Sequence, residues 1–187
     1  MSGGSKKVYD GSPIRFTHVT QAHLIWTLST PGGGTAIEGR ATVSSDQSPA
    51  APKYYYRERY RALDQDGKRT IVTTRDRHEY DAEAQLFDLL ADKVWREAGC
   101  DDNAYFGLAQ VLRGEVTVYS GQGPCRSCRG IIRQFRREFP RVTVKVSYPK
   151  RGETPISLDK LGGSYGYDEA VEERGMWKIT LPARVSD

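Results

Sequence analysis

The sequence lacks a long apolar run, a signal-like start and enough cysteines for a disulfide framework. None of its apolar stretches approaches the roughly 20 residues that a membrane-spanning helix requires. Its three cysteines cannot all pair. The first five residues, Met-Ser-Gly-Gly-Ser, carry no apolar core of a secretory signal and are typical of a linker. We therefore expect a soluble protein without a membrane partner.

The overall composition is that of a folded domain. Apolar residues make up 37% and charged residues 28% of the 187 positions, a mixture that excludes a coiled coil, a collagen-like repeat and a wholly disordered chain. Residues 31–52 are rich in Gly, Ser, Pro and Ala without a hydrophobic period, which predicts a flexible loop. We expect an N-terminal appendage and loop over residues 1–52 and a single domain over residues 53–187.

Helical and strand-like patterns alternate along the rest of the chain. Apolar residues spaced three and four apart predict helices, and strict alternation predicts strands. The predicted elements are a strand or short helix within 13–30, a hairpin at 54–75, helices at 81–98 and 103–112, a strand at 115–120, a helix from Pro124 to Pro140, and strands at 142–146 and 177–181. This order predicts an α/β fold in which helices cover a sheet.

Two predicted helix starts carry residues that can bind a metal. Cys125 and Cys128 supply two thiolates from one turn, at a helix end that favours the deprotonated thiol. A catalytic zinc ion takes three protein ligands and keeps one position open, and Asp81 can be the third. Glu83 can then reach the water that the zinc activates and carry its proton. We expect one zinc ion per chain. His78 is an alternative third ligand to Asp81.

Each motif also has a purely structural explanation. An aspartate followed by a glutamate at a helix start is what capping and dipole preferences produce. A Cys-x-x-Cys pair also occurs in redox sites and in structural zinc sites, although no second pair is present and Cys100 stands alone. The occurrence of both motifs at two helix starts favours catalysis.

The two motifs together resemble those of the zinc-dependent nucleobase deaminases, which carry His/Cys-x-Glu on one helix and Pro-Cys-x-x-Cys at the start of the next. Within that superfamily the chain is similar to the deaminase domains of bacterial polymorphic toxins. The residues that carry this similarity are Pro124, Cys125, Ser127, Cys128, Gln134, Phe135, Phe139 and Pro140. The resemblance implies a cytidine-deaminase-like three-layer fold, with a central mixed sheet of about five strands and helices on both faces.

The resemblance also implies a function for residues 53–187. It implies hydrolytic deamination of cytosine to uracil in nucleic acid, with single-stranded DNA favoured over duplex DNA or RNA. A toxin domain would be secreted, would act in the cytoplasm of a target cell and would be neutralised by a cognate immunity protein. Expressed alone, the chain would be cytoplasmic. The alternatives are a deaminase of free nucleosides, nucleotides or RNA, and a zinc-containing nucleic-acid-binding module without enzymatic activity.

Basic residues are concentrated beside the cysteines. Residues 125–151 hold nine basic side chains and one acidic side chain, a net charge of +8, whereas the remainder of the chain carries −4. Such a cluster attracts phosphates. The residues that we expect to contact the substrate are Tyr80, His78, Ser120, Gln122, Pro124, Arg126 and Arg129.

Overall fold

The computed structural model describes residues 21–44, 81–152, 155–156, 158 and 169–185. These residues form six strands and three helices: β1 (Gln21–Ser29), β2 (Ala36–Ser44), α1 (Ala82–Glu97), α2 (Asp102–Val111), β3 (Arg113–Ser120), α3 (Arg126–Glu138), β4 (Val142–Pro149), β5 (Glu169–Glu173) and β6 (Met176–Leu181). The predicted hairpin at 54–75 lies outside the described residues. None of the described helices combines the length and the apolar character of a membrane-spanning segment.

The strands form one mixed sheet in the order β2-β1-β3-β4-β6-β5. β3 and β4 are parallel neighbours, and every other neighbouring pair is antiparallel. Two parallel neighbours need a crossover connection, and α3 provides it. The predicted α/β class is confirmed, with six strands in place of about five.

The predicted loop over residues 31–52 is wrong at its centre, because residues 36–44 form β2. β2 pairs with β1 along its whole length, and Ile37, Ala41 and Val43 are buried. The small residues that are typical of a loop here allow close packing between β1 and β2. A Cβ atom at Gly39 would lie 2.5 Å from the Trp26 ring, so the absence of a side chain there makes room for that ring.

β1 and β2 lie within the segment that the sequence assigned to an N-terminal appendage. β1 nevertheless pairs with β3, so both strands continue the central sheet. The expected boundary between residues 52 and 53 falls outside the described residues and stays a prediction.

The two helices with the candidate motifs pack side by side on the sheet. One sheet face presents fully buried valines from the parallel pair, such as Val118 and Val146. The rings of Phe87 on α1 and Phe135 on α3 lie 4.9 Å apart, centroid to centroid. α1 also contacts β1 and β2, and α2 contacts both other helices. This packing brings the N-termini of α1 and α3 together, while a helical layer on the second sheet face stays a prediction.

Candidate active site

The first turn of α3 gathers the two thiols. Cys125 is the N-cap of α3, and its Sγ accepts a hydrogen bond from the backbone N–H of Cys128 at 3.3 Å. The two Sγ atoms lie 3.3 Å apart. Pro124, which the sequence placed in the first turn of the helix, precedes the N-cap, because α3 begins at Arg126. The thiols therefore converge through the capping geometry of one helix.

Asp81 is the N-cap of α1, but its carboxylate makes no capping hydrogen bond. Its Oδ2 lies 3.4 Å from the Sγ of Cys125 and 3.2 Å from the Sγ of Cys128. A carboxylate placed there by capping preference alone would accept a hydrogen bond from the second or third helical N–H. The Asp81 side chain is directed at the thiols instead.

Asp81, Cys125 and Cys128 form a cluster that fits the ligand set of a zinc ion. The three ligand atoms lie within 4.8 Å of one another. A tetrahedral zinc ion bound at the usual Zn–S and Zn–O lengths would hold its ligand atoms about 3.6–3.8 Å apart. The observed separations of 3.2 to 3.4 Å need only small movements to reach those values. Three ligands leave the fourth position open, as catalytic zinc sites do.

Glu83 lies buried beside this cluster, in the first turn of α1. Its Oε2 is 3.5 Å from the Sγ of Cys128, and its Oε1 accepts a hydrogen bond of 2.7 Å from the hydroxyl of Ser120. Burial raises the pKa of Glu83, and the Ser120 hydrogen bond opposes that rise. A glutamate placed by helix-dipole preference alone needs no burial, so that preference does not account for the position of Glu83.

The two thiols differ in how readily they lose a proton. The hydrogen bond with Cys128 lowers the pKa of Cys125. The same contact, followed by burial, raises the pKa of Cys128 well above its usual value. Cys125 is therefore the more acidic of the two thiols.

The structure describes several of the residues expected to contact substrate. Gln122 is exposed, Pro124 is buried, and the half-buried Arg129 donates from Nε to the Cys125 carbonyl at 3.4 Å. Ser120 is buried, and its hydroxyl contacts Glu83. His78, Tyr80 and the side chain of Arg126 lie outside what the structure describes. Asp81 thus lies with the two cysteines, whereas the choice between Asp81 and His78 and the roles of all these residues stay predictions.

Tyr148 and Ile156 pack near the loop that leads into α3, and the sequence analysis indicated neither residue. The backbone N–H of Ile156 donates to the Tyr148 hydroxyl at 2.6 Å. A Cβ atom at Gly123 would lie 2.1 Å from Cδ1 of Ile156, so a side chain at position 123 would require the end of the Ile156 side chain to move. No local pattern could have linked these residues, since residue 156 is far from residue 123 along the chain.

One protein-family comparison matches the chain. The family described as Toxin-deaminase, the BURPS668_1122 family of deaminases, matches residues 106–150. That segment includes β3, α3 and β4 and so contains Ser120 and both cysteines of the cluster. The resemblance to the deaminases of polymorphic toxins is confirmed by this match. No curated protein and no solved structure matches the chain.

Proposed function

We propose that the chain, which matches the toxin-deaminase family over residues 106–150, is a deaminase that removes the amino group of cytosine in nucleic acid with the help of one zinc ion. One observation carries the proposal. The thiols of Cys125 and Cys128 and the carboxylate of Asp81 converge within 4.8 Å, and buried Glu83 lies 3.5 Å from one of those thiols. This is the arrangement of ligands and proton carrier that zinc-assisted hydrolysis requires.

The residues of the cluster divide the chemistry between them. Asp81, Cys125 and Cys128 would hold the zinc ion, which supplies Lewis acidity and makes water a nucleophile near neutral pH. Glu83 accepts a proton from the attacking water and returns it to the departing amino nitrogen. Water adds at the ring carbon that carries the amine, the C–N bond breaks, and the products are uracil and ammonia.

We infer a polymeric substrate from the concentration of basic residues on and just after α3. Nine basic side chains lie between residues 125 and 151, on and just after the helix that carries both cysteines. Arg129 stands one turn after Cys125 and is half-buried. Positive charge on the helix that carries the cysteines favours a phosphate backbone. Single-stranded DNA is the favoured substrate. An unpaired base enters a deaminase site without the cost of leaving a duplex, and the resemblance to toxin deaminases favours DNA over RNA.

The family match also suggests a biological setting. A toxin deaminase acts on nucleic acid inside a target cell after secretion, and its producer needs a cognate immunity protein as a protective partner. Both are proposals for this chain, and their support is the toxin-deaminase match over residues 106–150.

A direct assay tests the proposal. The zinc-loaded protein is incubated with single-stranded DNA, duplex DNA, RNA and free cytidine, and C-to-U and A-to-I changes are counted. We expect C-to-U conversion, fastest in single-stranded DNA. Glu83→Ala should lower the rate by roughly a hundred- to ten-thousandfold while fold and zinc content are retained.

Glu97→Ala is the matched control, because Glu97 is exposed in the last turn of the same helix. It should behave like the parent protein. Conversion of free cytidine alone would favour a nucleoside deaminase. An unchanged nucleic-acid affinity in both variants, with no conversion of any substrate by the parent protein, would favour a binding module.

A further inference from the structure

We propose that Ser120 is a positioning residue for Glu83 and that its hydroxyl holds the carboxylate in the orientation needed for proton transfer. The proposal rests on the proposed function, since it takes Glu83 as the proton carrier. It assigns to Ser120 a role other than direct contact with substrate. Ser120 is the last residue of β3 and leads into the loop before α3.

The hydrogen bonds around Ser120 fix the direction of its single proton. Its Oγ lies 3.4 Å from the backbone N–H of Gln122, which can only donate. The hydroxyl proton is therefore available for Oε1 of Glu83, at 2.7 Å. With Oε1 held in this way, Oε2 is the oxygen on the side of the cluster, 3.5 Å from the Sγ of Cys128.

The place of Ser120 in the strand argues against a purely structural role. β3 alternates, and Val116, Val118 and Ser120 project from the face that packs against the helices. The first two positions hold apolar side chains, as a buried face requires. A buried hydroxyl is costly unless it is hydrogen-bonded, and its side-chain partner here is the candidate proton carrier.

Holding one carboxylate oxygen has a catalytic consequence. A glutamate side chain has three rotatable bonds, and proton transfer requires the acceptor oxygen within hydrogen-bond reach of the reacting atoms. Fixing the carboxylate in advance removes the need to order it in each turnover. The effect should therefore fall on kcat, with little change in the binding of substrate or zinc.

Three variants test this assignment in the zinc-loaded protein. Ser120→Ala removes the hydroxyl, Ser120→Thr keeps it, and Ser147→Ala is the matched control. Ser147 is equally buried, with 4% of its surface exposed, but it pairs with Tyr119 and so projects from the opposite sheet face. The measurements are kcat, KM and zinc content with single-stranded DNA.

We expect Ser120→Ala to lower kcat roughly ten- to a hundredfold, the range for a lost hydrogen bond to a charged group. KM should stay within about twofold, and zinc content should not change. Ser120→Thr should restore most of kcat, and Ser147→Ala should match the parent protein. A kcat within about twofold of the parent in Ser120→Ala, or an equal loss in Ser147→Ala, would overturn the proposal.

A second measurement is independent of turnover. Crystal structures of the zinc-loaded parent and Ser120→Ala proteins would show whether the Glu83 carboxylate moves. We expect it to leave its place beside Cys128 in the variant, and an unchanged carboxylate would overturn the positioning role. If the parent protein deaminates nothing, the proposed function fails by itself, and the two crystal structures still show whether Ser120 holds the Glu83 carboxylate in place.

Discussion

Two aspartates occupy the N-cap positions of neighbouring helices, but their carboxylates make different contacts. Asp101 is the N-cap of α2, and its Oδ1 accepts a hydrogen bond of 2.7 Å from the backbone N–H of Ala104. Asp81 is the N-cap of α1, makes no capping hydrogen bond, and directs Oδ2 at two thiols. Asp101 is exposed, whereas Asp81 is half-buried.

This contrast separates an aspartate that caps a helix from one whose carboxylate faces the candidate metal cluster. A capping carboxylate satisfies a helix N–H that would otherwise lack an intrahelical partner. Asp81 leaves that stabilisation unused because the start of α3, 44 residues further along the chain, brings Cys125 to it. An aspartate at an N-cap position therefore does not always cap the helix. Variants at both positions can test the difference.

The largest expected effect is the loss of zinc from Asp81→Ala. Replacing groups that merely support metal ligands weakens binding about 10- to 100-fold, so removing a ligand should cost at least as much. We expect zinc occupancy well below one per chain and loss of deamination. Asp101→Ala should keep full occupancy, because its side chain contacts α2 and not the cluster. Metal analysis after dialysis measures both, and full occupancy in Asp81→Ala would refute the ligand assignment.

Removing the metal should have the next largest effect, a fall in thermal stability. The size of that fall should differ between Asp81→Ala and Asp101→Ala. With free zinc at about a hundred times its Kd, bound metal stabilises the fold by about 2.7 kcal/mol. For a chain of this size that corresponds to a fall in Tm of roughly 5–10 °C on chelation. Asp101→Ala should show the same fall, and Asp81→Ala almost none. Thermal unfolding with and without chelator measures it; equal shifts in all three proteins would contradict the site.

The smallest expected effect is the contribution of helix capping to the free energy of unfolding, measured in the zinc-free proteins. Asp101→Ala should lower the free energy of unfolding by about 1 kcal/mol, because the Ala104 N–H loses its partner. Asp81→Ala should change it less. That side chain makes no capping bond, and repulsion from the Glu83 carboxylate offsets its attraction to the helix dipole. Chemical denaturation compares the two; a larger loss from Asp81→Ala would show that Asp81 is structural.

Local patterns predicted the helices of this protein well and its strands unevenly. The helices predicted at 81–98 and 103–112 appear as α1 and α2, within two residues at each end. β2 was missed because it is built from small residues that are typical of loops, and β5 because all five of its residues are exposed. Pairing with a neighbouring strand stabilises both, and sequence does not encode pairing locally.

The candidate site was predictable in its residues but not in its contacts. Spacing and residue type were enough to nominate Asp81, Glu83, Cys125 and Cys128, because the type of side chain decides which groups can bind a metal. The hydrogen bond between Ser120 and Glu83 joins residues 37 apart, and no periodicity reports such a contact. The fit of Ile156 over Gly123 was invisible for the same reason.

The amino-acid sequence was sufficient to predict the α/β class, the two helix N-termini that carry potential metal ligands, and the concentration of positive charge after Cys125. Periodicity, capping and ionisation are local properties of side chains, so they can be read without a structure. The tertiary structure alone decided that Asp81 faces thiols while Asp101 caps a helix, that Glu83 is buried, and that Ser120 holds its carboxylate. Those outcomes depend on the packing of α1 against α3 over the sheet, and packing joins residues that the chain keeps far apart.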